Sequence, residues 1–445
     1  MQREMIDSGI DWIGKIPASW DLKRLKAILC ERNEKNDPVQ SEFILSLGAS
    51  YGVIPYSEKT GGGNKAKDDF SAYKLAYPGD IVMNSMNIIS GSVGLSKYFG
   101  CVSPVYYMFY PRNNETSVDY YHLMFQTRAF QRSLIGLGNG IMMRESQNGN
   151  FNTVRMRIPV SKLNAVLLPV PSPTEQEKIA DYLNEQCSEI DRLIEKTNSS
   201  IDEYRKLKQA VVSNAVLRGL NEDIEYRESG VEWIAHIPNN WRICRLKNYF
   251  SFGKGLPITK ENLVLKGVPV ISYGQIHSKT NSGVHISKEL KRYVSEKYLD
   301  SNPTSLVTKG DLILADTSED LEGCGNAVYV DTDETLFAGY HTIILHSNST
   351  DNKYFAYLFL ADEWRSQIRS RVSGIKLFSI TQKILKETTI LIPSEKEMSE
   401  IVKYLDKKCT ELDKIISKKE KLVEELEDMK RSLIYEYITG KREVV

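Results

Sequence analysis

Residues able to carry out covalent or metal chemistry are present, but never in the spacing such chemistry needs. The six cysteines, Cys30, Cys101, Cys187, Cys244, Cys324 and Cys409, contain no C-x-x-C pair, so neither a zinc knuckle nor a disulfide framework is implied, and reduced thiols are expected. His341 and His346 lie five apart in an apolar segment, a pattern that fits core histidines better than metal ligands. No G-x-x-x-x-G-K-[ST] phosphate cradle occurs, no glycine-rich dinucleotide or S-adenosylmethionine turn follows a strand, and N-P-P-[YF], H-E-x-x-H and G-x-S-x-G are missing. The sequence reads as catalytically empty.

Charge is balanced overall and uneven locally, as a solvated surface or a pair of unlike faces would both give. The 445 residues balance 58 Lys+Arg against 58 Asp+Glu, so no overall field draws the protein onto a polyanion. The balance is uneven along the chain. Residues 242–292 hold ten Lys/Arg and two acids, residues 120–162 hold six and one, and residues 311–334 hold eight acids and no Lys/Arg. That acidic run is expected to face away from phosphate or toward a protein partner. The first thirty residues carry charges too frequent for a secretion signal, and no window approaches eighteen apolar residues, so a soluble, cytoplasmic protein without membrane association is expected.

Internal repetition sets the architecture. "DSGIDWIGKIPASWDLKRLK" (7–26) returns as "ESGVEWIAHIPNNWRICRLK" (228–247), and "PSPTEQEKIADYLNEQCSEIDRLIEK" (171–196) returns as "PSEKEMSEIVKYLDKKCTELDKIISK" (393–418). A weaker echo joins "YPGDIVM" (77–83) to "TKGDLIL" (308–314). Each half runs from a Trp-Pro-Trp opening through a divergent body and a Gly-Asp strand to a Pro-Ser boundary and a helical tail.

The tails have helical periodicity. Ile179, Leu183, Cys187, Ile190, Ile194, Ile201, Tyr204, Leu207 and Val211 map, 222 residues on, to Ile401, Leu405, Cys409, Leu412, Ile416, Val423, Leu426, Met429 and Leu433. These steps of three, four or seven draw one apolar stripe on each helix. Ser172 with Glu175 and Ser394 with Glu397 form S-x-x-E capping boxes, and Pro173 marks the first helical position. Glu397-Met398 replaces Glu175-Gln176 in the second copy. A helix over 173–217 would be roughly 65 Å long at 1.5 Å per residue. Its short connector implies that the second helix runs back along it as an antiparallel coiled coil with a body at each end. The bodies alternate short apolar runs with Gly, Pro and Asn turns, and each is expected to contain one helix, over 118–135 and over 352–370. The class is α+β: two similar globular domains joined by two long helices, a pseudo-twofold internal repeat. The boundaries are 1–170 for the first domain, 171–220 for the spacer helix, 221–392 for the second domain and 393–445 for the C-terminal helix.

The paired "WIGKIPASW" and "WIAHIPNNW", the Gly-Asp strand, and "PSPTEQEKIADYL" beside "PSEKEMSEIVKYL" resemble the specificity subunit of type I restriction-modification enzymes over nearly the whole chain. The resemblance implies two target recognition domains, each reading half of a split site in double-stranded DNA. It also implies methylation subunits, two by expectation, and restriction subunits, with S-adenosylmethionine, ATP and Mg2+ bound by those partners and no cofactor or metal on this chain. The duplicated frame with unlike bodies would bind an asymmetric bipartite sequence whose unread spacer the helix pair sets.

Side chains suited to such reading are Lys and Arg for phosphate, and Arg, Asn and Gln for base edges. In the first body they are Lys59, Asn64, Lys65 and Lys67 in "SEKTGGGNKAK", with Asn84, Arg144, Gln147, Asn148 and Arg155. In the second they are Lys254, Lys260, Tyr273, Gln275, His277, Arg371 and Lys376. Two other readings stay open at this level. One is a coiled-coil structural or adaptor protein without sequence-specific DNA binding. The other is an enzyme fused to a recognition module, against which the motif search speaks.

Overall fold

In a computed structural model, every residue is described except 1–2, 50, 60–65, 141–143, 146–150, 153–155, 222, 347–351, 375 and 445, and for 144–145 and 151–152 only the backbone. The chain divides into two compact units, Met1–Asn198 with Lys421–Val445, and Ser199–Glu420. Both long helices predicted from periodicity form. The spacer helix spans Pro173–Arg218 and the C-terminal helix spans Glu395–Ile438, so each unit contains the start of one and the end of the other.

The first unit opens with a hairpin of β1 (Met5–Asp7) and β2 (Lys15–Pro17). It continues through β3 (Asp21–Arg24), β4 (Leu29–Arg32), β5 (Ile81–Asn84), β6 (Val93–Leu95) and β7 (Tyr106–Pro111). A four-stranded antiparallel sheet has the order β4-β7-β5-β6. Its central strands are buried throughout Ile81–Met83 and Tyr107–Phe109 because both faces are covered. Ile81, Met83, Tyr107 and Phe109 join the core that holds Trp20, whereas Val82 and Met108 join a second cluster with Leu45, Leu47 and Val53. β8 (Leu167–Val170) pairs with β3 and leads directly into the spacer helix.

The second unit repeats this scheme. β9 (Tyr226–Val231) and β10 (Ile234–Pro238) form the hairpin, and β11 (Arg242–Arg245) pairs with β16 (Thr389–Ile392) ahead of the C-terminal helix. β12 (Ser251–Lys254), β13 (Leu312–Ala315), β14 (Ala327–Tyr329) and β15 (Thr342–His346) build a sheet in the order β12-β15-β13-β14. Leu312, Leu314, Ile343 and Leu345 face the core that holds Trp241, and Ile313, Ala315 and Ile344 face another. A five-stranded sheet that includes Val268–Ile271 and Leu336–Ala338 is added on that second side.

The single helix expected in each body is in fact two: α1 (Val118–Gln126) with α2 (Arg128–Ser133), and α3 (Lys353–Leu358) with α4 (Asp362–Arg369). Thr127 is extended; its hydroxyl donates to the Met124 carbonyl at 2.7 Å and accepts from the Phe130 amide at 3.3 Å. It thereby closes one helix and opens the next. Five residues advance a straight helix by about 500°, which would set Phe125 and Phe130 on different faces. The bend brings their rings to 4.9 Å, and the equivalent bend at Ala361 stacks Phe359 on Trp364 at 4.0 Å.

One lock recurs in both units. In the first, the Trp20 indole Nε1 donates to Glu175 at 2.9 Å and Arg3 pairs with the same carboxylate. The Tyr120 hydroxyl donates to the Ile438 carbonyl at 2.8 Å, at the end of the C-terminal helix. In the second, Trp241 donates to Glu397 at 2.9 Å, and Tyr354 donates to the Val216 carbonyl at 2.9 Å, at the end of the spacer helix. The helix ends turn on Gly440 (φ +70) and Gly219 (φ +80). A Cβ on Gly440 would lie 2.4 Å from Pro17 and 2.9 Å from Trp20, so only glycine admits both the turn and the approach. The capping boxes are therefore half-made. Ser172 and Ser394 accept the Glu175 and Glu397 amides at 3.3 Å, while the carboxylates satisfy buried indoles instead of the cap amide. At the non-matching position, Gln176 accepts from the Ser117 amide at 3.0 Å and donates to the Pro171 carbonyl at 2.9 Å, whereas Met398 is buried as an apolar filler.

Antiparallel pairing is visible inside each unit. In the first, the Tyr182 ring lies 4.8 Å from that of Tyr437, and Asp191 pairs with Lys430 at 2.7 Å. In the second, Arg205 pairs with Glu420 at 2.8 Å and Lys208 with Asp413 at 2.7 Å. Of the expected seam, Ile179, Leu183, Ile190, Ile201, Ile401, Leu405, Leu412, Ile416 and Leu426 are buried, and Ile194, Val211, Val423 and Leu433 are half-buried. Leu207 and Met429 are not seam residues: they are 49% and 50% exposed. Two successive steps of three carry Leu207 about 120° away from Ile201, whereas eleven residues return to within about 20°. Val212 and Ile434, eleven beyond Ile201 and Val423, are the buried positions at 3% and 8% exposure.

Two outcomes follow. Tyr354→Phe should cost about 1 kcal/mol and Trp241→Phe about 2 kcal/mol in urea unfolding, since the second removes a bond to a charged acceptor; equal and negligible losses would show that the lock contributes nothing. Ile434→Ala should cost about 3 kcal/mol and Met429→Ala under about 1 kcal/mol, with the reverse order restoring the three-step seam.

Candidate nucleic-acid interface

The Gly-Asp echo has a structural meaning. Asp80, buried at the start of β5, accepts the Tyr77 amide at 2.9 Å and pairs with Arg32 of β4 at 2.8 Å. Burial pushes its carboxyl above the usual range, against the pull of Arg32. The Arg32 guanidinium lies between the rings of Tyr77 and Tyr110, at 4.4 and 4.6 Å. In the second unit, Asp311 accepts the Thr308 amide at 2.8 Å and binds His346 Nδ1 at 2.8 Å. His346 is thus a half-buried partner of a sheet carboxylate, and His341, whose side chain is 58% exposed, is no core residue. The acidic run is largely consumed locally. Asp311, Asp316, Asp331, Asp333 and Glu334 face His346, His341, His285, Lys309 and Lys291. Asp320 accepts the Gly323 amide at 2.6 Å.

Among the first unit's candidates, Lys59 holds its ammonium 5.4 Å from the Tyr56 ring. Lys67 is exposed, its amide donating to the Tyr73 hydroxyl at 2.8 Å. Asn84, the last residue of β5, accepts the Met86 amide at 3.0 Å and so shapes the turn that follows. Arg144 lies on a two-residue strand opposite Asn152. Asn64, Lys65, Gln147, Asn148 and Arg155 lie outside the described residues.

The second unit arranges its candidates around two neighbouring grooves of about 550 Å³ each. Lys254, exposed at the end of β12, lines one with Tyr340 and His341. Tyr273 and His277 line the other with Asn326 and Arg365. Arg365 donates from Nε to the Phe359 carbonyl at 2.6 Å, and burial pulls its guanidinium down to about 10. The Gln275 side chain is spent on the Ser272 amide at 3.2 Å. Both His277 nitrogens are engaged: Nε2 donates to the Thr317 carbonyl at 2.7 Å, which leaves Nδ1 to accept from Asn326 at 3.0 Å. Lys260, Arg371 and Lys376 are exposed and line neither groove. The glycines of "GKGLPITK" serve the protein itself, since a Cβ on Gly255 would lie 1.9 Å from the Gly339 carbonyl oxygen. Sequence reasoning passed over Arg365 and Tyr340 and read His341 as a core histidine; its signal is a backbone φ of 55°, which no sequence pattern displays. No group of three or more His, Cys, Asp or Glu side chains among the described residues could hold a metal ion, and no helix among them is long and apolar enough to cross a membrane.

Residues 238–427 match the family model of the type I restriction modification DNA specificity domain. By structure, the chain is similar to one from a study of complex assembly and conformational transition in the type I R-M system, at 13% identity and TM-score 0.68, over 96% of this chain and 99% of that one. It is also similar to the HsdS subunit from Thermoanaerobacter tengcongensis, at 13% identity and TM-score 0.49, over 96% and 98%. No curated protein sequence matches it at a significant level. Residues 238–427 thus match a DNA specificity domain, and the fold of nearly the whole chain is shared with the chain from the type I R-M study.

Proposed function

We propose that the chain binds an asymmetric, bipartite DNA sequence, each unit reading one half-site, and directs methylation and restriction subunits to it. The observation that carries this reading is the pairing of a repeated frame with unlike bodies. Both units repeat the four-stranded sheet order and the Trp–Glu lock. Beyond the sheet, the first adds a hairpin of Leu45–Gly48 and Gly52–Pro55, and the second adds a five-stranded sheet. Duplex backbone is locally twofold symmetric, so a repeated frame docks alike on two segments while unlike surfaces discriminate different bases. This chain contributes recognition. Adenine methylation with S-adenosylmethionine, and ATP- and Mg2+-dependent cleavage, belong to the partner subunits in the cytoplasm, with two methylation subunits to one specificity chain.

Methylome sequencing of the host with and without the gene should show one split motif disappear. Replacing residues 27–165 by the equivalent body of a relative should change one half of that motif and leave the other intact; a change in both halves would refute separate reading. Separately, Lys254→Ala and Arg371→Ala should each weaken DNA binding by a similar factor on every sequence and flatten the log K against log[salt] slope by about 1. Binding measured by fluorescence anisotropy across a salt series checks this, and an unchanged slope removes those side chains from the phosphate contacts.

A further inference from the structure

Resting on the half-site reading above, we propose that His341 reads one base pair of the half-site bound by the second unit. Its outward-facing ring Nε2 accepts a hydrogen bond from the exocyclic amino group of cytosine or adenine in the major groove.

The argument begins with the backbone. His341 is the one non-glycine residue with positive φ among the described residues, at 55°. It stands in the short connection between Leu336–Ala338 and β15, where glycine would make the same turn without the Cβ penalty. The turn is held from all sides. The Tyr273 amide donates to the Tyr340 carbonyl at 3.3 Å, the Asp316 amide donates to the His341 carbonyl at 3.1 Å, and the Thr342 hydroxyl donates to the Gly339 carbonyl at 2.7 Å. A left-handed backbone held by so many bonds fixes where the His341 side chain starts.

That side chain is aimed. Nδ1 faces the Asp316 carboxylate at 3.2 Å, and Asp316 is itself steadied by the Thr317 hydroxyl at 2.7 Å. A carboxylate only accepts, so Nδ1 donates to it, and in the tautomer with the proton on Nδ1 the Nε2 atom is an acceptor. Tyr273 and Tyr340 meet the ring edge to face at centroid distances of 5.3 and 6.0 Å. Tyr273 lines one groove and His341 the other, so the two rings form the ridge between them. Lys254, exposed in the groove that His341 lines, is a cation suited to phosphate, whereas the other groove holds Arg365 among Glu319, Asp320 and Glu322. In the major groove only cytosine N4 and adenine N6 offer amino donors, so an outward acceptor on a fixed ridge discriminates those bases from guanine and thymine.

The test uses full-length His341→Gly and His341→Asn chains, expressed with their cognate partner genes in a host lacking the system and read by methylome sequencing. The body exchange identifies which half-motif belongs to the second unit. His341→Gly should lower selectivity about tenfold at one position of that half-motif, leave the other half unchanged, and melt no lower than the parent chain. His341→Asn, which tolerates positive φ, should shift that position toward adenine through a bidentate contact to N6 and N7. An unchanged motif in His341→Gly overturns the assignment while the half-site reading stands. A lowered melting temperature with selectivity lost in both halves assigns His341 to the scaffold and overturns it too. If the parent chain yields no split motif, both the assignment and the half-site reading fall.

Discussion

The fold depends on an indole N–H buried against a glutamate at the first turn of a helix. Trp20 and Trp241 are 4% and 1% exposed, so neither nitrogen has water to donate to, and each finds a carboxylate at 2.9 Å. A buried donor without a partner would forfeit about 1–3 kcal/mol. A carboxylate at a helix N-terminus is also favoured by the macrodipole. The same residues therefore fix where a helix starts, how the preceding strand arrives, and which glycine-turned helix end lies beside them.

The tyrosines complete this junction. The last carbonyls of a helix lack intrahelical donors, and Ile438 and Val216 each receive one from the hydroxyl of a fully buried tyrosine on the body's own helix, α1 or α3. Each unit is thus bound to the beginning of one long helix and to the end of the other. The short helix that supplies the tyrosine must bend to do so while its second half packs aromatic rings on the sheet, which is why 118–135 and 352–370 each divide in two.

What could be read in the sequence was whatever the scaffold repeats. The tails declared themselves because a 222-residue echo preserved apolar type at nine positions and because helical periodicity survives without tertiary knowledge. Reading the stripe by threes and fours nonetheless placed Leu207 and Met429 in the seam and passed over Val212 and Ile434, because accumulated rotation, rather than the nearest apolar residue, decides which side chain faces the partner helix. The carboxylate arm of the capping box was misplaced for a different reason: S-x-x-E describes a local bond, and a tryptophan 155 residues away competes for it. The candidate contacts were least legible. Gln275 and His277 have the chemistry of base readers and spend it on Ser272, Thr317 and Asn326, whereas His341 sits in an apolar stretch and presents its ring to solvent.

The period of the β-strand explains how so rigid a frame can carry bodies that differ. Along β5 and β13, alternate side chains point to opposite faces. Ile81, Met83, Leu312 and Leu314 pack toward the tryptophan lock, and Val82, Ile313 and Ala315 pack toward the body-specific layer. What covers the second face differs, the small hairpin in one unit and the five-stranded sheet with Tyr273 and the His341 turn in the other. Changes there repack Val82 or Ile313 without moving Met83 or Leu314, so the lock keeps its geometry. The sheet separates the two layers, and on the proposed reading that insulation lets one duplicated chain hold two different recognition surfaces.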